Sequence, residues 1–345
     1  MSRPIVLRSA KGRLALRFDR RTLVVTALLG LGLVASAFVS LCLGSRPSTP
    51  TAVLEALLFP ARSDIALIVH EIRLPRILLA VMVGASLAVA GLILQGLVRN
   101  PLASPDVIGI TGGASVAAVA FLTLGGAAWG EAWLPMVAMG GAVLVALGII
   151  ALAWQRGVTP ARLVLIGIGI AAALGAVTML MIVLSPDSTS MQAYVWLTGS
   201  LYAAQWHEVV GMLPWVAVCL PLALSQARQL DVLALGDDMA TGLGSAVQGS
   251  RLMLLLLSVA LAGSAVAFAG GLSFVGLIAP HIARRLVSRS VTGLMPVTAL
   301  IGALILLYAD LLGRTAFMPQ DLPAGIFVAG IGAPFFVYLL YRWRQ

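Results

Sequence analysis

The sequence predicts an all-α polytopic membrane protein with about ten transmembrane helices and both termini in the cytoplasm. The chain of 345 residues is 60% hydrophobic and only 10% charged, whereas soluble domains carry about 25% charged residues. No soluble fold hides this much apolar surface, so lipid must be the solvent. Long stretches of period-2 alternation are missing, which argues against a transmembrane β-barrel.

Residues 1–21 form a basic cytoplasmic tail ahead of the first apolar run. That run, 23–43, is too long for the hydrophobic region of a signal peptide, so we expect it to remain as a membrane anchor. Positive charge before a first span marks its cytoplasmic side. The basic residues of the tail are Arg3, Arg8, Lys11, Arg13, Arg17, Arg20 and Arg21.

The remainder, residues 22–345, is predicted to be one ten-helix domain. Each of its apolar runs approaches the roughly 20 residues that a transmembrane helix needs. The predicted spans are 22–43, 76–98, 107–126, 132–154, 162–184, 206–226, 251–269, 272–288, 294–313 and 322–342.

Charge in the predicted loops agrees with two cytoplasmic termini, because the inner loops carry arginine while the outer loops mix arginine with acids. Of the outer connections, 44–75 is expected to hold a short interfacial helix at 52–58, and the aromatic stretch 185–205 to lie at the interface. The inner arginines are Arg99, Arg156, Arg162, Arg228, Arg284, Arg285, Arg289, Arg342 and Arg344.

Several kinds of chemistry find no residues to support them. The histidines, His70, His207 and His281, lie on different predicted loops or span ends and form no ligand pair, so neither a metal nor a cofactor is expected. Lys11 is the single lysine, and a P-loop needs a lysine after its second glycine. The chain is therefore predicted not to be an enzyme, and any ATP-driven motor must be a separate polypeptide.

Charges inside the predicted spans are scarce. Asp310 is the clearest exception, and an intramembrane acid is a functional candidate by default. Arg314 follows four residues later on the same helical face, so a local ion pair near the outer end is the favoured interpretation. The scarcity of other acids argues against a secondary carrier driven by an ion gradient, the main alternative from another class.

A polar island over residues 230–247 interrupts the apolar sequence on the predicted cytoplasmic side. A merely solvated loop would leave Leu233, Leu235, Met239 and Leu243 as exposed apolar surface, so we expect a docking surface instead.

Glycines and acids give this island its expected local structure. Gly236, Gly242 and Gly244 permit tight turns between short helices. Asp237 and Asp238 are expected to cap a helix N-terminus and to offer carboxylates to basic groups of a partner.

Five stretches together resemble the FecCD family of inner-membrane permeases, which belong to ABC importers for ferric siderophores, haem and vitamin B12. They are residues 73–76, 95–114, 235–244, 271–284 and 321–336. The resemblance covers nearly all of the chain after residue 60. The family often has glutamate where Asp321 stands.

The resemblance implies a ten-helix subunit that pairs with a second permease, either a copy or a paralogue, in the bacterial inner membrane. Two cytoplasmic ABC ATPase subunits and a periplasmic substrate-binding protein complete the importer. The island would form the coupling helices that seat in the ATPase. The matching coupling residues are Leu235, Gly236, Asp237, Asp238, Met239, Gly242 and Gly244.

The resemblance also assigns Arg73, Arg76 and Arg314 to docking of the binding protein at the outer rim. The alternative is that these arginines only snorkel at the interface. On the cytoplasmic face, Pro101 and Pro105 block a continuous helix. Arg99, Asn100 and Pro101 are therefore expected to form a fixed turn, which either contacts the coupling region or is a turn and nothing more.

The function expected from these observations is alternating-access import powered by the partner ATPase. A ferric siderophore is favoured as cargo on family frequency, with haem or vitamin B12 as the alternatives.

Overall fold

The computed structural model describes residues 5–8, 15–44, 46–125, 130–155, 157–288 and 290–342. Several residues used above for orientation lie outside these ranges: Arg3, Lys11, Arg13, Arg156, Arg289 and Arg344.

The basic tail contains a short β-hairpin that its sequence pattern did not predict. Strand β1 (Ile5–Arg8) pairs antiparallel with β2 (Ala15–Phe18). The first helix begins at Arg20, directly after the second strand. The hairpin therefore lies directly before the N-terminus of the first helix.

Helices make up the rest of the regular structure in the described part of the chain. A π-helical turn, Ile68–Arg73, leads directly into the third helix. The helices are α1 (Arg20–Cys42), α2 (Pro50–Leu58), α3 (Leu74–Val98), α4 (Ile110–Thr123), α5 (Leu134–Ala153), α6 (Pro160–Val183), α7 (Asp187–Thr198), α8 (Trp206–Ser225), α9 (Ala227–Ala234), α10 (Asp237–Gly242), α11 (Val247–Ala269), α12 (Val275–Leu286), α13 (Val291–Thr315) and α14 (Ala324–Arg342).

The all-α membrane fold is confirmed, and every predicted span overlaps a helix. Among the described residues, 7 helices are long and apolar enough to cross a membrane, namely α1, α3 with its π-turn, α5, α6, α8, α11 and α13. The helices α4 and α14 are shorter but apolar. The predicted outer helix at 52–58 is α2, which starts at Pro50 because Thr49 caps it by accepting from the Ala52 N–H.

The prediction of a full span over 272–288 is wrong. Helix α12 has only 12 residues, which is about 18 Å and well short of the ~30 Å hydrocarbon core. The shortening has a backbone cause, since Gly270 has φ 72° and Phe274 has φ 65°. These left-handed residues keep the preceding chain out of the helix even though its composition is apolar.

Helix α3 lies at the centre of the bundle, packed against α11, α12 and α13. Two of its glycines allow the backbones to touch. A Cβ on Gly84 would lie 2.3 Å from the Gly302 carbonyl oxygen of α13, and one on Gly91 would lie 2.0 Å from the Gly276 carbonyl oxygen of α12. Small residues permit this approach where lipid supplies no hydrophobic force between helices.

We predict that Gly91→Ala lowers the stability of the folded protein by about 1–3 kcal/mol, because the added methyl overpacks a backbone contact. The measurement is thermal unfolding in detergent. Gly30→Ala in α1 is the matched control, since its Cβ would meet nothing within 4 Å. Both substitutions raise helix propensity equally, so equal melting temperatures for the two variants would contradict the packing argument.

Candidate functional site

Charged residues gather at the two ends of α3. Arg76 near its outer end and Arg99 just past its inner end are separated by 23 residues of chain, or about 35 Å of helix. Each arginine belongs to a cluster that joins helices distant in sequence. The inner cluster involves the polar island, and the outer cluster involves the ends of α1 and α13.

The inner cluster is centred on Asp237, whose carboxylate receives two arginines. Arg251, on the first turns of α11, places Nη2 at 2.8 Å from Oδ1 and 3.0 Å from Oδ2. Arg99, at the C-terminal end of α3, donates from Nη2 to Oδ1. We call Arg99, Asp237 and Arg251 the inner cluster from here on.

The prediction that Asp237 and Asp238 cap a helix is wrong. The capping position of α10 belongs to Gly236, with φ 114°, and no side chain caps the helix. The two aspartates are the first residues inside α10, where their negative charge interacts favourably with the positive end of the helix dipole. The carboxylate of Asp237 turns to the two arginines of the bundle.

Opposing effects set the ionisation of Asp237. Burial alone would raise the pKa of its carboxyl, but hydrogen bonds from Arg251 and Arg99, together with their charges, outweigh burial and hold the pKa below its usual value. A lowered pKa means that the carboxylate contributes stability above the unfolded value of about 3.9 and loses it only as pH falls through the folded value. The Asp237 carboxylate therefore stays ionised throughout the physiological range.

Arg251 was missed by the sequence reasoning, which treated position 251 only as the start of an apolar span. The side chain is just 3% exposed. Its Nη1 donates to the Val158 carbonyl oxygen at 2.6 Å, in the turn between α5 and α6. The available signal was an arginine at the beginning of an otherwise uncharged span, because charges within spans usually face the bundle interior and pair there.

The turn after α3 is held against the island. Arg99 has φ 55° and ends the helix in the left-handed region, and its Nε donates to the Leu233 carbonyl oxygen at 3.1 Å. The Asn100 side chain accepts from the Leu102 N–H at 2.9 Å across Pro101. The segment is thus a side-chain-stabilised turn that also contacts the island.

A second acid ties the island to α13. Asp231 in α9 accepts from the Val291 N–H at 3.1 Å and from the Ser290 hydroxyl at 3.3 Å, so it caps α13 from outside that helix. Burial raises the pKa of the Asp231 carboxyl, because its effect is larger than the lowering that the two hydrogen bonds cause. Leu230 packs on α3 at Gly96, where a Cβ would come within 2.7 Å of it.

The opposite face of the island is apolar and open. Leu235, Met239 and Leu243 are 60–63% exposed, whereas Leu233 is buried against the bundle. The first three, which we call the apolar patch, surround the short helix α10. Gly242 and Gly244 lie beside it, with Gly244 at φ 78° closing the turn into the next segment.

The outer cluster is centred on Arg76, which bridges two aspartates. Its Nε lies 2.8 Å from Asp310 Oδ1, and its Nη1 and Nη2 lie 2.6 and 2.9 Å from the Asp321 carboxylate oxygens. Asp310 is completely buried. The predicted pair with Arg314 is present at 3.7 Å, but the closest partner of Asp310 is Arg76, from a helix 234 residues away in sequence.

Arg73 and Arg314 complete the outer cluster by holding the end of α1. Arg73 donates to the Leu41 carbonyl oxygen at 2.5 Å, and Arg314 donates to the Ser40 carbonyl oxygen at 2.6 Å. The last carbonyls of a helix lack partners within it and carry partial negative charge. All three arginines proposed for docking are therefore already engaged inside the chain, and their docking role stays a prediction.

The arginines of the outer cluster nevertheless line an open space. A cavity of about 610 Å³ opens between the ends of α1, α3 and α13. Exposed Arg46 and the neutral side chains of Tyr202 and Gln320 are among its lining residues. The charged residues that line it are Arg46, Arg73, Arg76, Arg314 and Asp321.

Comparison with known proteins identifies a family and several relatives that this chain resembles. Residues 32–342 match the FecCD transport family. The achromobactin transport system permease protein CbrC of Dickeya dadantii (strain 3937) is 49% identical over 97% of this chain and 96% of its own. The Fe(3+) dicitrate transport system permease protein FecD of Escherichia coli (strain K12) is 42% identical over 91% and 97%.

A solved structure agrees with these relatives. It is described as an inward-facing conformation of a metal-chelate type ABC transporter. The similarity has a TM-score of 0.79 at 30% identity and covers 93% of this chain and 99% of that one.

We predict that Asp310→Ala destabilises the protein by about 3 kcal/mol, because it strips a buried arginine of one of its two carboxylates. Thermal unfolding in detergent is the measurement. Asp64→Ala, at an exposed acid of the same outer side, is the control and is expected to shift stability by less than about 0.5 kcal/mol. A loss no larger in Asp310→Ala than in the control would refute the assignment.

Proposed function

Because the chain belongs to the FecCD transport family, we propose that it is the permease subunit of an ATP-driven importer in the bacterial inner membrane. Its cargo would be a ferric siderophore, carried from periplasm to cytoplasm by alternating access. The relatives named for achromobactin and ferric dicitrate support this class of cargo. The chain itself is a transport component and not an enzyme, so the chelate passes through it chemically unchanged.

The observation that carries the proposal is the apolar patch on an island that is anchored to the bundle. An unanchored apolar loop would collapse onto the protein or the lipid, whereas Leu235, Met239 and Leu243 remain exposed on a short fixed helix. Contiguous exposed apolar side chains mark an interaction surface. We propose that a cytoplasmic ABC ATPase subunit covers this patch.

The anchoring of the island suggests how work enters the membrane. Asp231 holds α13, and the inner cluster holds the ends of α3 and α11. These helices are the most buried of the candidate spans. Displacement of the island by the ATPase would therefore act on the centre of the bundle, and packed cores respond by switching between discrete arrangements.

On the outer face, the positively lined cavity is the proposed site for the substrate-binding protein. Arg73, Arg76 and Arg314 would contribute their charge from its walls, and exposed Arg46 would reach furthest towards the partner. Acidic groups on the binding protein would be steered there by charge complementarity. The internal bonds of the arginines would then serve to preorganise that positive surface.

Helix α6 is the proposed contact with a second permease subunit. Lipid-facing α1 exposes large side chains such as Leu28, Leu31 and Val34. Helix α6 also exposes large side chains such as Leu165 and Leu180, but between these two it exposes a run of small residues, which allow close helix contact. Adding a Cβ to either of its two exposed glycines would meet nothing within 4 Å. The exposed small residues are Gly169, Ala172, Ala173, Gly175 and Ala176. The translocation path would run along this contact.

The test is reconstitution in liposomes with the cognate second permease, ATPase and binding protein. We expect ATP-dependent accumulation of radiolabelled iron supplied as a hydroxamate or citrate chelate, with no loss when an ionophore collapses the ion gradients. Uptake of vitamin B12 or haem in place of ferric chelates would overturn the choice of cargo. Uptake that proceeds without ATP but stops with the ionophore would establish a secondary carrier instead.

The docking surface has its own prediction. Met239→Glu places a carboxylate in the apolar patch, and burying it without a partner is unfavourable. We expect at least a tenfold loss of ATPase binding, about 1.4 kcal/mol, measured by co-purification and titration. Leu124→Glu, at an even more exposed apolar residue away from the island, is the control. Undiminished ATPase binding by Met239→Glu would remove the patch from the interface.

A further inference from the structure

The two aspartates at the start of α10 are adjacent in sequence but differ in their surroundings. We infer that Asp237 is a positioning residue that transmits movement of the docked ATPase to α3 and α11, and that it does not itself bind the ATPase. This inference rests on the proposed function. It replaces, for Asp237, the role of a carboxylate offered to a partner.

Most of the hydrogen-bonding capacity of Asp237 is already used inside the chain, although its side chain is 41% exposed. An ionised carboxylate offers about four acceptor positions. Oδ1 accepts from both Arg99 and Arg251, and Oδ2 accepts again from Arg251. Three donated bonds to one carboxylate leave little for an incoming basic group.

The same carboxylate joins the ends of two helices that also pack against each other along their length. Arg99 belongs to the end of α3, and Arg251 belongs to the start of α11. Arg251 also reaches the Val158 carbonyl oxygen, while the Val158 N–H donates to Gln248 Oε1 at 3.0 Å. The turn between α5 and α6 is thereby fastened to α11, and through Arg251 to Asp237.

The backbone conformation of Arg99 supports a specific role for its side chain. Glycine is the usual residue where a helix ends in the left-handed region, because a Cβ is disfavoured there. Arg99 occupies this conformation with φ 55°. The conformation is compatible with Arg99 contacting both Leu233 and Asp237.

Arg251 makes the connection sensitive to charge. Within the described residues, Asp237 is the one acid that forms an ion pair with it. The guanidinium is almost completely buried, and its Nε has no hydrogen-bond partner there. Neutralising Asp237 would leave a buried cation without a counter-charge, so Arg251 would no longer follow the island.

The experiment compares Asp237→Asn with the wild type in the complete importer, reconstituted with ATPase, second permease and binding protein. The readout is the coupling ratio, the amount of ferric chelate imported per ATP hydrolysed. We expect ATPase co-purification to match the wild type while the coupling ratio falls about tenfold. Asp19→Asn is the control, since Asp19 is an exposed acid before α1 without a side-chain cap bond.

A double-mutant cycle gives a second readout that a merely structural role would not reproduce. Arg251→Gln is expected to lower the coupling ratio as Asp237→Asn does, and the double variant to be no worse than either single variant, because both remove the same interaction. If Asp237→Asn does not accumulate in the membrane, Arg99→Gln tests the inference in its place. This substitution breaks the bond between α3 and Asp237, while buried Arg251 keeps its counter-charge. We expect Arg99→Gln to lower the coupling ratio as well.

Two results would overturn the inference. One is a wild-type coupling ratio in Asp237→Asn or, where that variant does not accumulate, in Arg99→Gln. The other is a loss of ATPase binding by Asp237→Asn with the coupling ratio of the remaining complexes unchanged, which would make Asp237 a docking residue. Failure of the proposed function itself is distinguishable, because the wild-type chain would then bind no ATPase.

Discussion

A chain solvated by lipid must satisfy its charges from within, and here that requirement is met at the two ends of one central helix. Helix α3 touches its neighbours backbone to backbone through Gly84 and Gly91, and no charged side chain lies along its middle. Its arginines are consequently confined to the ends, where carboxylates from other helices meet them. The close packing along the middle of α3 therefore goes together with the location of its arginine–carboxylate clusters at the two ends.

The two clusters use buried arginine differently. At the outer end Arg76 joins two aspartates, and its neighbours close the end of α1, so the arrangement stiffens a rim that keeps its positive character. At the inner end a single carboxylate, Asp237, joins two arginines from different helices. An importer needs a firm platform for a periplasmic partner and a movable connection to a motor, and the clusters suit those respective tasks.

Positions of helices were predictable because hydrophobic length and loop charge report directly on the membrane. Where this failed, at α12, the cause was backbone geometry at Gly270 and Phe274, which hydropathy does not encode. The predicted Asp310–Arg314 pair is present, but the closer partner of Asp310 was missed for a related reason. Periodicity identifies the neighbour four residues along, whereas the closest arginine comes from α3. Arg251 went unnoticed because its only ion-pair partner in the described residues lies in the island.

By itself, the sequence determined that this protein lies in a membrane, that it lacks the lysine of an ATP-hydrolysing loop, and which family it resembles; it also predicted that the island faces the cytoplasm. These properties follow from composition and local pattern. Only the tertiary structure decided which face of the island is open, since that depends on Asp231 and Asp237 being drawn inward by α13, α3 and α11. Ion pairs between distant segments depend on how the helices pack, and no single segment of the sequence determines that packing.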